Sequence, residues 1–150
     1  VDTERLRKWL GQLNEWANQK NPEAGPNRSL NENELLKLAR SQWATIGAHT
    51  VSHAALSALN EDQQRYEIFT SKTVLENQTG AEIRVFSYPF GNRKHYNSTS
   101  VNLCREAGFI KSAANFPGQV YRWTDPYQLP RRIVRNWDLN TFINHMKYWI

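Results

Sequence analysis

Trp43-Ala44-Thr45-Ile46-Gly47-Ala48-His49-Thr50-Val51-Ser52-His53 is the stretch on which the fold turns. Its first half, Trp43 to Ala48, reads as a short buried strand that delivers the chain straight into two histidines four residues apart. The form repeats in Ile83-Arg84-Val85-Phe86-Ser87-Tyr88-Pro89-Phe90-Gly91, where a strand over 83–88 ends abruptly at Pro-Phe-Gly. Between the two lies the best-defined helix. Asn60 caps it, Gln63 answers in a capping box, Ile68, Phe69 and Leu75 supply apolar anchors, and Gly80 stops it.

The flanks continue the pattern. Upstream, Leu6, Trp9, Leu10, Leu13 and Trp16 fall at helical spacing over residues 3–19, followed by a Pro- and Gly-bearing loop at 21–27. A second helix follows Asn31, with Leu35, Leu36, Leu38 and Ala39 as its inner face. Downstream come a helix over about 99–107 stopped by Gly108, a strand over 109–114, a loop with Pro117, Gly118 and Asp125-Pro126, a strand over 129–134, and a helix over 139–149. Strands and helices alternate, which predicts a parallel α/β sheet. Four strands fit an open sheet or part of a barrel, since a closed (β/α) barrel takes about eight strands and about 250 residues.

Composition sets the bounds. A length of 150 residues suits one domain, and 39% apolar with 22% charged residues is ordinary for a globular protein. No apolar run is long enough to span a bilayer. The net charge of +5 is spread in short pairs such as Arg7-Lys8 and Arg131-Arg132, without the one-sided clustering of a nucleic-acid surface. Cys104 is the only cysteine; beside Val101 and Ala107 it reads as a small buried hydrophobe rather than a reactive thiol. Trp9, Trp16, Trp43, Trp137 and Trp149 are expected in the core or in helix packing.

The chemistry is expected at the strand ends, where parallel folds place it. If the chain turns helical after Ala48, His49 and His53 share one face with Cβ atoms about 5–6 Å apart, within reach of one Zn²⁺. Thr50 stands ready to orient an imidazole through a hydrogen bond. The spacing alone also fits a histidine pair with no ligand. The Pro89-Phe90-Gly91 turn either aims a backbone N–H at a pocket or is a plain strand terminator. His95 either borders the pocket or sits in a solvent-exposed loop, and Trp123 and Asp125 lie in a loop suited to lining a sugar site, although Asp125 before Pro126 is also turn chemistry. His145 reads as an ordinary helix-surface residue.

Four segments in order carry a resemblance: Ile46–His53 with Leu56 and Leu59, Phe86–Gly91, Arg105–Phe109, and Asp125–Arg131. Together they resemble the polysaccharide deacetylases, the NodB-like carbohydrate esterases, over roughly residues 29–135. The resemblance implies a distorted (β/α) barrel and hydrolysis of N- or O-acetyl groups on a glycan, carbon–nitrogen bonds other than peptides included. It implies His49 and His53 as imidazole ligands of a divalent metal, Zn foremost, and Phe90 as backbone donor to the oxyanion. Tyr88 and Pro89 would form the wall beside it, with Trp123, Asp125 and His95 toward the substrate. The partner is an acetylated polysaccharide, and the compartment is either the bacterial cell envelope or the cytoplasm.

Two departures qualify that picture. The family's Asp-Asp pair, source of the base and the third metal ligand, does not occur; Asp2 is the only aspartate before His49. Ser87 stands where many members carry Arg. The expectation is therefore one partial deacetylase domain over 1–150, an incomplete α/β barrel without its first strand or two, inactive alone and self-associating through exposed barrel edges. Two rival expectations are a non-catalytic glycan-binding or scaffold protein that keeps the fold, and a purely structural metal site.

Overall fold

A computed structural model describes residues 3–16 and 28–149. The chain divides into two compact units, residues 1–35 and 36–150. The first holds α1 (Thr3–Trp16) and the start of α2 (Glu32–Ala39), which straddles the division. Asn31 caps α2: its Oδ1 accepts from the Glu34 amide at 3.0 Å, and Glu34 Oε2 accepts from the Asn31 amide at 2.9 Å. The inner face expected for α2 is only half-buried, and Leu38 is exposed. The expected ends of α1 at 17–19 and the loop at 21–27 lie outside the described residues.

The second unit contains a 3₁₀ turn (Leu56–Ala58), α3 (Glu61–Thr79), β1 (Val85–Ser87), α4 (Ser98–Glu106), β2 (Lys111–Ala113) and α5 (Leu139–Trp149). The expected start and stop of α3 are both present. Asn60 and Gln63 form the reciprocal capping box, and Gly80 takes the left-handed conformation at φ 66°. Asn97 and Ser100 make a second such box at the start of α4. The two helices are joined through buried polar groups: Ser100 Oγ donates to Gln64 Oε1 at 2.6 Å, while Gln64 Nε2 donates to the Leu59 carbonyl at 3.0 Å. Burying these atoms is tolerable because each has its partner.

β1 and β2 pair in parallel, Val85 with Lys111, Phe86 with Ser112 and Ser87 with Ala113. The other two expected strands do not form ladders. Ala48 makes a single parallel bridge to Phe86, and Leu129 a single parallel bridge to Ala113. On the first side, residues 42–43 are a turn and the Trp43 amide is taken by Ser41 Oγ. On the other, Pro130 follows the bridge and has no N–H to extend it. The four extended segments nevertheless lie side by side in chain order, all parallel. Gly47 permits the close approach at the first bridge, since a Cβ there would stand 2.9 Å from Val85 Cγ2 and 3.1 Å from its carbonyl oxygen.

The core lies between this sheet and α3 and α4. Phe86 packs between Tyr88 and Phe109, each with ring centroids 5.3 Å away, and Tyr88 stacks on Tyr96 at 4.1 Å. Leu56, Ile68, Ile83, Leu103 and Cys104 complete it. Burial first, outweighing hydrogen bonds to Ser112 and Tyr88, pushes the Cys104 thiol up to about 11, as suits an inert packing residue. The tryptophan expectation needs correction. Trp9, Trp16 and Trp43 are exposed, the last at the tip of its turn at 88%. Trp137 and Trp149 do pack, around His145, which stacks on Trp137 at 4.0 Å.

Candidate metal and acetyl site

Parallel order places the C-terminal ends of all four segments on one rim, and His49, Tyr88–Phe90, Asn115 and Arg131 follow directly from them. An open depression of about 390 Å³ is lined by His49, Ser87, Tyr88, Phe90, Asn115 and Arg131. His49 is exposed one residue beyond the Ala48 bridge. Its Nδ1–H donates to the Ser87 carbonyl at 2.6 Å, which leaves Nε2 with a lone pair for a ligand. The His53 ring lies 4.8 Å from that of His49, edge to face at 72°, and 4.8 Å from Phe90.

The route by which the rings meet differs from the expectation. Residues 49–53 are not helical; they form a bend in which Thr50 (φ 66°) and His53 (φ 58°) are both left-handed. Such backbone costs about 1–3 kcal/mol per non-glycine residue and persists only where surroundings enforce it. Thr50 turns its hydroxyl inward, and Oγ1 accepts from the His53 amide at 3.0 Å. Glu67, buried on α3, accepts from the amides of Val51 (2.8 Å) and Ser52 (2.9 Å) and from Ser52 Oγ (2.5 Å). Hydrogen bonds to a charged acceptor contribute about 1.5–3 kcal/mol each, enough to offset the strain.

The facing turn is braced in the same manner. Pro89 and the Tyr88 ring are buried, and Tyr88 Oη donates to the Tyr127 carbonyl at 2.9 Å. Tyr88 thus borders the depression while its side chain belongs to the core. Phe90 is left-handed at φ 58°, and its amide has no hydrogen-bond partner among the described residues. Asn115 holds the turn from β2: its amide donates to the Gly91 carbonyl at 2.7 Å and its Nδ2 to the Phe90 carbonyl at 3.2 Å. Arg131 Nε donates to the Ala114 carbonyl at 2.5 Å.

The remaining expected residues stand apart from this depression. His95 is half-buried with its ring 5.2 Å from Phe90, so the row His49–His53–Phe90–His95 is continuous. Trp123 is 81% exposed and stacks on Tyr121 at 5.1 Å, with their planes 2° apart. Asp125 is engaged by Arg105, the Tyr127 amide and Gln128. Burial works against its charge, but the bonds from Gln128, Tyr127 and Arg105 together hold the carboxyl below its ordinary range. It lines a neighbouring depression of about 360 Å³ with Arg93, Gln119, Tyr121 and Gln128.

Glu67 and Asn115 had no role in the sequence reading, and Arg131 entered it only as the last residue of the Asp125–Arg131 segment and in a charge pair, with no place at the site. Asn115 follows a strand end, which was a usable signal. Glu67 lies on the α3 stripe of Gln64, Ile68 and Ser71, a carboxylate on an inward face. Among the described residues no third His, Cys, Asp or Glu joins the histidine pair in a metal-binding cluster. The pair itself fits part of a metal site, being accessible, convergent and fixed in tautomer by Ser87.

Residues 12–111 match the sequence profile of the family described as polysaccharide deacetylase. The chain belongs to that family. It is 27% identical over 107 residues to YxkH of Bacillus subtilis (strain 168), a protein described as a polysaccharide deacetylase, covering 71% of this chain and 37% of that one. Among solved structures, the Streptococcus pyogenes deacetylase PplD, in complex with acetate, matches with a TM-score of 0.70 at 22% identity, covering 81% of this chain and 53% of PplD. BC0361, a polysaccharide deacetylase from Bacillus cereus, matches with a TM-score of 0.67 at 22% identity, covering 79% of this chain and 37% of that one. These similarities show a shared mixed α/β fold. The chain spans about half or less of the relatives it matches.

Proposed function

We propose that residues 1–150 form one partial deacetylase domain, an incomplete barrel of the NodB type, that carries the two-imidazole half of a site for removing acetyl groups from a polysaccharide. The observation that carries this reading is the convergence of His49 and His53, with the His49 tautomer fixed by Ser87, beside the Phe90 amide, which has no partner among the described residues. His49 and His53 would hold a divalent ion, most suitably Zn²⁺ given nitrogen donors. When bound, that ion would polarise the acetyl carbonyl and acidify water toward a pKa of about 7.

The chain's own residues supply the rest. The Phe90 N–H donates to the acetyl oxygen as negative charge develops on it, a contribution of about 2.7–4 kcal/mol for a well-placed donor. Buried Tyr88 and Pro89 fix the approach to that amide, and Asn115 fixes its exit. His95 backs the Phe90 ring. Trp123, stacked on Tyr121, offers an exposed aromatic face to a sugar ring, and the depression around Asp125 extends the surface. No carboxylate among the described residues is placed to take a proton at the pair, so the 150-residue chain alone is expected to be inactive.

Two proteins test this: the chain itself and a form extended at its N-terminus with deacetylase sequence bearing an Asp-Asp pair. Acetate release from acetylated glucosamine oligomers is expected from the extended form only, and His49→Ala should abolish it. Zn²⁺ titration of the 150-residue chain should show weak binding lost in His49→Ala and His53→Ala; affinity equal to that of the extended form would contradict the missing-ligand argument. A second reading, a non-catalytic glycan-binding protein with the deacetylase fold, is favoured by the exposed Tyr121–Trp123 stack. Oligosaccharide binding weakened by Trp123→Ala, without acetate release from either form, would establish it. Self-association through the single-bridge edges at Ala48 and Leu129 belongs to the proposal and is read by sedimentation velocity.

A further inference from the structure

The two histidines are held by different means. His49 is tied to the sheet through the Ala48 bridge and through Nδ1 on the Ser87 carbonyl. Among the described residues His53 has no such tie: its amide bonds back to Thr50 Oγ1, and its ring touches His49 and Phe90 edge-on. Where His53 sits is therefore decided by residues 50–52. Among the described residues their external hydrogen bonds run to one group, the Glu67 carboxylate, which takes both amides on one oxygen and the Ser52 hydroxyl on the other.

We propose that Glu67 is the positioning residue of the histidine pair. From α3 it fixes the left-handed turn between Thr50 and His53 and so sets the separation of the two imidazoles. Its hydrogen bonds go to Val51 and Ser52 and to neither ring, and its role in chemistry rests on the reading of His49 and His53 as a metal pair. What the site requires at position 67 is the pattern of acceptors, two amides on one oxygen and a hydroxyl partner on the other, rather than the negative charge. Glutamine can reproduce that pattern, since Oε1 accepts from the amides while Nε2 donates to Ser52 Oγ. Alanine cannot.

The test uses the metal-free 150-residue chain with labelled histidines. Ring-to-ring nuclear Overhauser contacts between His49 and His53 are expected in the parent and in Glu67→Gln and lost in Glu67→Ala. The Val51 and Ser52 amides should exchange at least about tenfold faster in Glu67→Ala, while core amides of α4 and β1 keep their protection. Persistence of the ring contacts in Glu67→Ala overturns the proposal, as does their loss in Glu67→Gln. If Glu67→Ala does not fold, Glu67→Asp takes its place; one methylene shorter, it cannot span both amides and the hydroxyl, and the same two outcomes apply. A Co²⁺ titration followed by visible absorption then separates this inference from the functional reading. Affinity should fall roughly 10–100-fold in Glu67→Ala and stay near the parent in Glu67→Gln. No Co²⁺ spectrum in the parent would sink the metal reading, while the ring contacts would still decide the role of Glu67.

Discussion

Replacing Gly91 by alanine tests the turn that presents Phe90, and Gly80 provides an internal control. Both glycines are left-handed, at φ 64° and 66°. A Cβ at Gly80 meets nothing within 4 Å, whereas one at Gly91 would stand 2.6 Å from Asn115 Cβ and 2.7 Å from the Asn115 backbone nitrogen. Gly80→Ala should therefore cost only the left-handed penalty, about 1–2 kcal/mol. Gly91→Ala carries the same penalty, plus about 1–3 kcal/mol of overpacking and about 1 kcal/mol for weakening the bond from the Asn115 amide to the Gly91 carbonyl. The expected difference between the variants is about 2–4 kcal/mol, a large part of the roughly 5–15 kcal/mol that holds a typical domain together. Urea melts followed by tryptophan fluorescence and far-UV circular dichroism read it as a midpoint shift at unchanged slope. Equal losses in the two variants, within about 0.5 kcal/mol, would refute the close packing of Gly91 on Asn115.

Three further outcomes follow from the packing. Ionisation of Cys104 is opposed by burial, so its stabilising contribution is complete below its ordinary value of 9.0 and is lost as pH rises toward about 11. A pH series of melts should show an extra alkaline loss of up to about 3 kcal/mol, removed in Cys104→Ala, and the thiol should resist alkylation at pH 8 until the chain unfolds. Gln64→Leu would strand the Leu59 carbonyl and leave the Ser100 hydroxyl only its longer contacts to Asn97, with an expected loss of about 1–3 kcal/mol by chemical denaturation. Asn60→Ala removes the cap of α3 and should lower the urea midpoint by the equivalent of about 0.5–2 kcal/mol, with Asn60→Ser close to the parent.

The helices were legible because their signals are local. Asn60, Gln63 and Gly80 act on backbone groups within a few residues, and the bounds of α3 and α5 match the reading. The strands were overread because a ladder needs partners that periodicity does not reveal. Thr45-Ile46-Gly47 and the residues after Pro130 carry strand-like composition yet form no bridge; only their neighbours Ala48 and Leu129 do, one each, among the described residues. At the site, the histidine spacing was visible, but the bend joining the two rings is set by Glu67, fourteen residues beyond His53 on another element. Asn115 and Arg131 come to His49 through the sheet alone. The tryptophans show the converse limit: apolar character at Trp16 and Trp43 does not bury a side chain unless a neighbouring surface covers it.

Since the four extended segments lie in space in the order they occur in the chain, each rim residue hangs on its own independent connector. The connector between Phe116 and Asp125, which bears Tyr121 and Trp123, can change length or composition while β1 and β2 keep their pairing and His49 keeps its hold on Ser87. Such a framework lets the exposed surface around Trp123 diverge by editing a single excursion of the backbone, with the rim at His49 and the interior left intact.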